Sequence, residues 1–406
     1  MTNISELKKI VNLKETTLLS LFALVIGLVV GLLDFIFGKG LLDISAFRDN
    51  HLIMLLPFLG FGGLLIVYLY NRFGGKAKAG MGLIFDVGHA QEEDIPLVLI
   101  PLVIFSTWLT HLFGGSAGRE GVAVQIGATL SHYFASYTKN KDLSKPFLLI
   151  GMSAGFAGLF QTPLAAIVFA LEILVLDSIK LNALIPMTLA ALTASATSHR
   201  LGLEKFSVAI GNPEPITLLL VLKLALLGLL FAVAGNVFAY LLSYGKNLLA
   251  ERFPNPYLRI AVMGLLLSLL LFLFYQGRYS GLGTNLIQLS FTNHAIKSYD
   301  WFFKLFFTVV TIAAGFQGGE VTPLFSIGAS LGIVLAPIFG LPLETVAALG
   351  YISVFSSATN TFLAPFLIGF EVFGPEHFLY YFIVLVFAYS IDRKHSIYPK
   401  QKLQLL

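Results

Sequence analysis

The sequence predicts an all-α polytopic membrane protein built from two related halves, with helices that break in its interior. Three observations predict it. Of the 406 residues, 57% are hydrophobic and 12% are charged, where a soluble protein carries about 25% charged residues. The mean hydropathy is +0.84. Several apolar segments are too short to span and are punctuated by Gly and Pro, the pattern of discontinuous helices. Finally, the chain matches itself at an offset of 201 residues and again at 199.

Taken in order, Thr17–Phe37 is the first run long enough to cross a bilayer. The polar start carries Lys8, Lys9 and Lys14 and no small-residue cleavage site follows, so the run reads as an anchor rather than a signal peptide. Leu52–Tyr70 reads as the return helix. Gly80-Met81-Gly82 then precedes a short apolar piece, Leu83–Val87. Ile95–Phe113 is apolar up to the stretch Gly114–Gly121, and Val122–Tyr137 is short again. Gly151–Leu176 holds Pro163 and the carboxylate of Glu172. Residues 202–215 are polar and Pro-containing and read as the linker between a first half, 1–201, and a second half, 216–406. The second half opens with the long runs Ile216–Leu242 and Leu258–Phe274.

The internal repeat rests on particular residues. Aligning Gly118 with Gly319 sets Gly114 on Gly315 and Ile126-Gly127-Ala128 on Ile327-Gly328-Ala329. A second match sets Gly151, Thr162, Leu164-Ala165 and Glu172 on Gly350, Thr361, Leu363-Ala364 and Glu371. Repeats with interrupted helices place a substrate site where the halves meet.

Charge and composition bound the function. The net charge of +4 reflects loop basics, at Arg72, Lys76, Lys78, Arg393, Lys394, Lys400 and Lys402, rather than a nucleic-acid surface. The positive-inside rule puts both termini and the loop at Arg72–Lys78 in the cytoplasm. With no cysteine, thiol catalysis, disulfides and Cys metal sites are excluded. No metal, phosphate-loop or dinucleotide motif is present, so no cofactor is expected and an ATP-driven pump is excluded.

The stretch Gly114-Gly115-Ser116-Ala117-Gly118-Arg119-Glu120-Gly121 is the candidate site. Glycines beside a charge let bare backbone N–H groups converge, and a helix starting there forms an anion site. Glu120, a carboxylate within apolar sequence, can compete with an anion for the same donors. The segment also reads as G-x-S-x-G, the elbow of a serine hydrolase, which requires a base near Ser116. His111, His132 and His199 fall in no recognisable pattern around it, and the repeat puts Gln317 opposite Ser116. An intramembrane serine hydrolase is the remote alternative. Ser116 otherwise packs as a small residue.

Gly118-Arg119-Glu120-Gly121 resembles the G-[KR]-E-G-P signature of the CLC family of anion channels and proton-coupled anion antiporters, with Val122 for the proline. Gly319-Glu320-Val321-Thr322-Pro323 is similar to that family's G-x-F-x-P element, with Val321 for the Phe, and Gly80-Met81-Gly82 sits at its G-S-G-x-P element. The resemblance runs from Thr17 to about Tyr398 with no soluble regulatory domain after it. It implies two inverted repeats whose discontinuous helices meet at the bilayer midplane, and a homodimer with one pore per subunit.

Met81 in place of an anion-binding serine, Ile173 in place of an inner proton-relay glutamate, and the added Glu320 and Thr322 resemble the fluoride/proton antiporter branch. The resemblance therefore implies a bacterial inner-membrane exchanger that exports cytoplasmic fluoride against protons and confers fluoride resistance. A chloride-selective exchanger or channel is the alternative. Glu120 is then the gating and proton-carrying glutamate. Glu320 and Thr322 form a second proton or anion station, or Glu320 simply faces a helix dipole. Met81, Gly82, Phe85, Gly118, Arg119, Gly121, Val321 and Tyr398 line the anion path. Phe85 is equally a packing residue and Tyr398 equally an interfacial tyrosine. Glu172 and Glu371 fit a proton relay or a structural role.

Overall fold

The computed structural model describes residues 13–138, 140–174, 181–391 and 394–402. Lys8, Lys9, Arg393 and the last two residues of the expected segment Gly151–Leu176 lie outside the described residues. The first half holds α1 (Leu13–Leu55), α2 (Leu59–Leu69), α3 (Met81–Gly88), α4 (Leu99–Leu112), α5 (Glu120–Ala135), α6 (Ser144–Phe160), α7 (Pro163–Leu174) and α8 (Leu181–Arg200). The second holds α9 (Leu218–Arg252), α10 (Pro256–Leu273), α11 (Thr284–Phe291), α12 (Asp300–Ala314), α13 (Val321–Phe339), α14 (Leu343–Thr359), α15 (Leu363–Phe373) and α16 (Phe378–Ser390). Between them no helix forms from Leu203 to Thr217. That strap is tied down where the Val208 N–H donates to the Val372 carbonyl (3.0 Å).

The stretch Leu13–Gly88 and helices α9, α10 and α13 are long and apolar enough to cross a bilayer. Helices α4, α6, α7, α15 and α16 are apolar but shorter. Large apolar side chains such as Leu21, Leu218, Leu265 and Leu269 lie exposed on the outside, as lipid solvation requires. Glycine-lined helices with small side chains fill the interior, since close packing rather than hydrophobicity joins helices in lipid.

The opening of the chain differs from the expected pair Thr17–Phe37 and Leu52–Tyr70. Helix α1 runs unbroken past Phe37 and turns only at His51 (φ −127°, ψ 23°). The glycines that suggest an end at Phe37 are packing sites instead. A Cβ at Gly38 would lie 2.8 Å from Leu159 Cδ1, and one at Gly40 2.6 Å from Trp108 Cζ2. Trp108 also donates its indole N–H to the Phe37 carbonyl (3.1 Å). Tertiary contact overrides the low helix propensity of glycine. The return strand of helix is split into a turn of 3-10 helix at Leu56–Phe58, α2, and a wider turn at Tyr70–Gly74.

The internal repeat is physical as well as textual. In the first half Gly127 of α5 meets Gly151 of α6 backbone to backbone, and in the second Gly328 of α13 meets Gly350 of α14 in the same way. No side chain fits at either crossing. The break between α6 and α7 falls at Gln161, which is left-handed (φ 63°), and its counterpart between α14 and α15 at Asn360 (φ 52°).

The halves also cap each other. Glu172, near the end of α7, accepts the N–H groups of Phe362 (2.9 Å), Leu363 (2.8 Å) and Ala364 (2.8 Å) at the start of α15. Glu371 of α15 accepts those of Leu164 (3.2 Å) and Ala165 (2.8 Å) at the start of α7. The missing third bond has a chemical reason: Pro163 stands where Phe362 stands in the other half, and proline has no N–H. Each carboxylate therefore neutralises the positive end of the opposite half's broken helix. This assigns Glu172 and Glu371 a structural role. Ile173 beside Glu172 is fully enclosed. Glu172→Gln and Glu371→Gln each lose a charged acceptor, so each variant is expected to lower stability by about 1–3 kcal/mol, read as a lower melting temperature in detergent. Unchanged melting of both would remove the capping role.

Candidate functional site

Two glycines set the site. The Gly118 N–H donates to the Gly319 carbonyl (2.5 Å) and the Gly319 N–H to the Gly118 carbonyl (2.8 Å). These are the two residues that the repeat aligns, so the halves touch at their own equivalent point. A Cβ at Gly118 would lie 3.0 Å from the Gly319 oxygen and 2.7 Å from Pro323 Cδ. Both glycines come just before a helix, so the starts of α5 and α13 abut. Their first-turn N–H groups have no intrahelical acceptor, and both positive ends point into one small volume. The Gly118 N–H, expected to line an anion path, is used up in this bridge.

Glu120 fills that volume. It is 1% exposed. Its Oε2 accepts the Thr322 N–H (3.1 Å), and the Thr322 hydroxyl lies 2.7 Å from Oε1 and 2.5 Å from Oε2. The Arg119 N–H approaches Oε2 at 3.4 Å, and the Arg119 Nε stands 3.7 Å from Oε1. Arg119 Nε and Nη1 are buried without a hydrogen-bond partner. The first glutamate of α5 thus docks on the first turn of α13.

Thr322, expected with Glu320 in a second station, has both its hydroxyl and its N–H on Glu120. The reason is helix geometry: Glu320 is the residue before α13, and its side chain leaves toward Gly121, whereas Thr322 faces across the glycine bridge. A Cβ on Gly121 would lie 3.9 Å from Glu320 Oε2. Glu320 is half-buried, and Val321 and Val122 are fully buried.

Met81, Gly82, Phe85 and Tyr398 form a second cluster. Gly80 is left-handed (φ 51°) and opens α3. A Cβ there would lie 3.3 Å from Gln125 Oε1. Gln125 in turn donates to the Gly121 carbonyl (3.3 Å), which connects α3 to the Glu120 site. The rings of Phe85 and Tyr398 lie 5.6 Å apart, and Phe169 stands 6.3 Å from Tyr398. Tyr398 is 4% exposed, so it is an interior residue and not an interfacial one. Its phenol is within electrostatic reach of both Glu320 and Glu120. Phe85, 2% exposed, is a wall residue of this cluster.

Several residues here carry no sequence signal. Phe325, one turn beyond Thr322, stacks on Tyr351 at 4.0 Å and 5° and on Phe160 at 5.2 Å. These rings stack one turn along α13 from the threonine that holds Glu120. Lys304 is the larger omission. It is fully buried in α12, and its Nζ donates to Ser116 Oγ (2.8 Å), the Gly281 carbonyl (2.7 Å) and the Tyr279 carbonyl (3.3 Å). Ser116 Oγ also meets Thr308 Oγ1 (2.9 Å), and the Ser116 N–H approaches Thr311 Oγ1 at 3.3 Å. His111, the histidine nearest to Ser116 in sequence, bonds the carbonyls of Thr107 and Ala117 (both 2.9 Å). A Ser–Lys contact can in principle activate a nucleophile. Here Ser116, Lys304 and His111 are all 0% exposed, so Ser116 is enclosed. The lysine ties the loop Gly114–Gly118 to residues 279–281.

The chain is similar in sequence and in fold to known proteins. The sequence signature of the family described as "Voltage gated chloride channel" matches residues 62–393. A "Chloride/fluoride channel protein" of Pseudomonas syringae pv. tomato is 34% identical over 390 residues, covering 93% of this chain and 84% of the relative. The crystal structure of a CLC-type fluoride/proton antiporter superposes with a TM-score of 0.93 at 54% identity, covering 95% of this chain and 98% of the other. A slow cyanobacterial Cl-/H+ antiporter shares the fold, with a TM-score of 0.80 at 19% identity over 91% of this chain and 93% of the other.

The Ser116–Lys304 contact yields a stability test. Ser116→Ala takes one acceptor from the buried Lys304 amino group and is expected to cost about 1–3 kcal/mol, seen as a lower melting temperature. Labelling of wild-type Ser116 by a serine-reactive probe would contradict the enclosed, structural reading.

Proposed function

The chain belongs to the voltage-gated chloride channel (CLC) family, and on that footing we propose that it is a fluoride/proton antiporter exporting fluoride as protons enter. One observation carries the mechanism: the Glu120 carboxylate occupies the donors that converge from the starts of α5 and α13. Ionised, Glu120 holds the Thr322 hydroxyl and N–H. Protonated, it needs them less and gives them up, and an anion takes the same donors. Proton and anion then alternate at one place, which is what obligate exchange requires. Fluoride is small and strongly hydrated, and only several close donors replace its water. The Thr322 hydroxyl and N–H supply them, with Nε and Nη1 of Arg119, which make no hydrogen bond.

The remaining assignments follow. Met81, Gly82, Phe85 and Tyr398 line the anion path between α3 and the C-terminal tail, and a thioether at Met81 offers no hydrogen-bond donor. Glu320, beside Gly121, is a second station for the proton, standing in for the glutamate that Ile173 replaces. The inverted halves are 1–201 and 216–406, joined by 202–215. The protein acts as a homodimer in the bacterial inner membrane with both termini cytoplasmic, as the basic loop at Arg72–Lys78 and the basic tail both adjoin α3. It carries no enzymatic activity.

The test is flux from liposomes holding purified protein, with a fluoride or chloride electrode and a pH electrode together. Fluoride efflux should far exceed chloride efflux and drive proton uptake. Glu320→Gln should cut proton-coupled exchange strongly. Chloride flux equal to or above fluoride flux would replace the fluoride reading with a chloride exchanger or channel of the same family.

A further inference from the structure

We infer that the ion pair between Lys400 and Asp86 is an anion-capture gate, in which Lys400 leaves Asp86 for an arriving anion and passes it to the Met81–Gly82 end of α3. The inference rests on the fluoride-exchange reading and extends it to the path by which the anion reaches the site.

Lys400 Nζ lies 2.5 Å from Asp86 Oδ2, across 314 residues of chain. The lysine stem crosses directly over Gly82: a Cβ there would lie 3.7 Å from Lys400 Cε and 3.9 Å from Nζ. Asp86 sits one turn along the same helix, next to Phe85, whose ring packs on Tyr398. One short segment of tail therefore supplies both a wall of the path and the cation above it. That segment is fixed in place. The Ile397 N–H donates to the Ala358 carbonyl (2.9 Å), Asn360 Nδ2 to the His395 carbonyl (3.0 Å), and the Gln401 N–H to the Tyr398 carbonyl (3.0 Å).

Exposure and charge separate a gate from a brace. The Lys400 side chain is 46% exposed and that of Asp86 13%, so the ammonium faces water while its stem covers the path. A pair so exposed contributes little to stability. Lys402 and Lys145 act on the His89 ring at the end of α3, with Asp86 as the opposing acid, and of the acids that follow α3, Glu92 is taken up by Lys76 (2.7 Å). Positive charge beside the pair attracts anions. Asp86 is then the anion's competitor for Lys400 at the mouth, as Glu120 is its competitor inside.

The roles predict opposite effects from the two neutral variants. Initial fluoride efflux is measured against loaded fluoride concentration with full-length protein in liposomes. Lys400→Gln should raise the half-saturating fluoride concentration about fivefold, and flatten its dependence on ionic strength, with the maximal rate held within about twofold. Asp86→Asn should lower the half-saturating concentration, and the double variant should follow Lys400→Gln. A structural brace predicts instead that both single variants lower the maximal rate at unchanged half-saturation, with recovery in the charge-swapped Lys400→Asp/Asp86→Lys; that outcome overturns the gate. Monodisperse elution of each variant checks folding. If wild-type protein moved chloride and not fluoride, the fluoride reading would fail separately, and the same titration with chloride would still decide the gate.

Discussion

The structure depends on the paired backbone bond between Gly118 and Gly319. Two helices whose first turns must share one anion-sized volume can approach only where neither carries a side chain. The exchange of N–H and carbonyl between equivalent residues brings the halves together at their axis, and it removes the two glycine amides from the donor set. What remains facing inward is the first turn of α13, the guanidinium of Arg119 and the carboxylate of Glu120. The same economy recurs away from the centre, where Glu172 and Glu371 each serve the helix start of the opposite half. Broken helices leave unpaired N–H groups inside a low-dielectric medium. Four of the breaks are completed by three carboxylates reaching across and by the glycine bridge.

The electrostatics of the centre differ from those of the other breaks in which groups hold the carboxylate. A carboxylate on a helix start is stabilised by N–H donors and by the dipole. The carboxylates at α7 and α15 are held by two or three backbone N–H groups each and have no competitor. Glu120 is held by the N–H and hydroxyl of Thr322, by a long contact from the Arg119 N–H and by a distant guanidinium. In the proposed exchange it is the carboxylate that leaves, since two of these four contacts are long. Lys304 does a different task, holding the loop Gly114–Gly118 from beneath through Ser116, so that the glycine-rich backbone keeps one conformation.

Much of the fold was legible in the sequence because the repeat is carried by residues with few substitutes. Gly127 and Gly328 admit no side chain at a helix crossing, and Glu172 and Glu371 have no other short acceptor of the same reach. The break near Gln161 was visible through Pro163 inside Gly151–Leu176, and the repeat that sets Thr162 on Thr361 carried it to the segment of Asn360. The length of α1 was not, because Gly38 and Gly40 look like punctuation until Trp108 and Leu159 are packed on them. In the site, alignment placed Glu120 and Thr322 in related motifs, yet equivalence is not contact, and their bond spans 202 residues of chain. Lys304 and Lys400 escaped for the same reason. A lysine in an apolar helix and a lysine in a basic tail gain meaning only from Ser116 and Asp86, which lie far away in sequence.

The central claim is that one carboxylate and the transported anion use the same donors in turn. Glu120→Gln is nearly isosteric, stays polar and can neither ionise nor carry a proton. The direct measurement is proton uptake driven by an outward fluoride gradient in liposomes containing this variant, recorded beside the fluoride signal. The account predicts a folded protein with proton uptake abolished, whether fluoride then stops or leaks uncoupled. Proton uptake at the wild-type ratio to fluoride would contradict it.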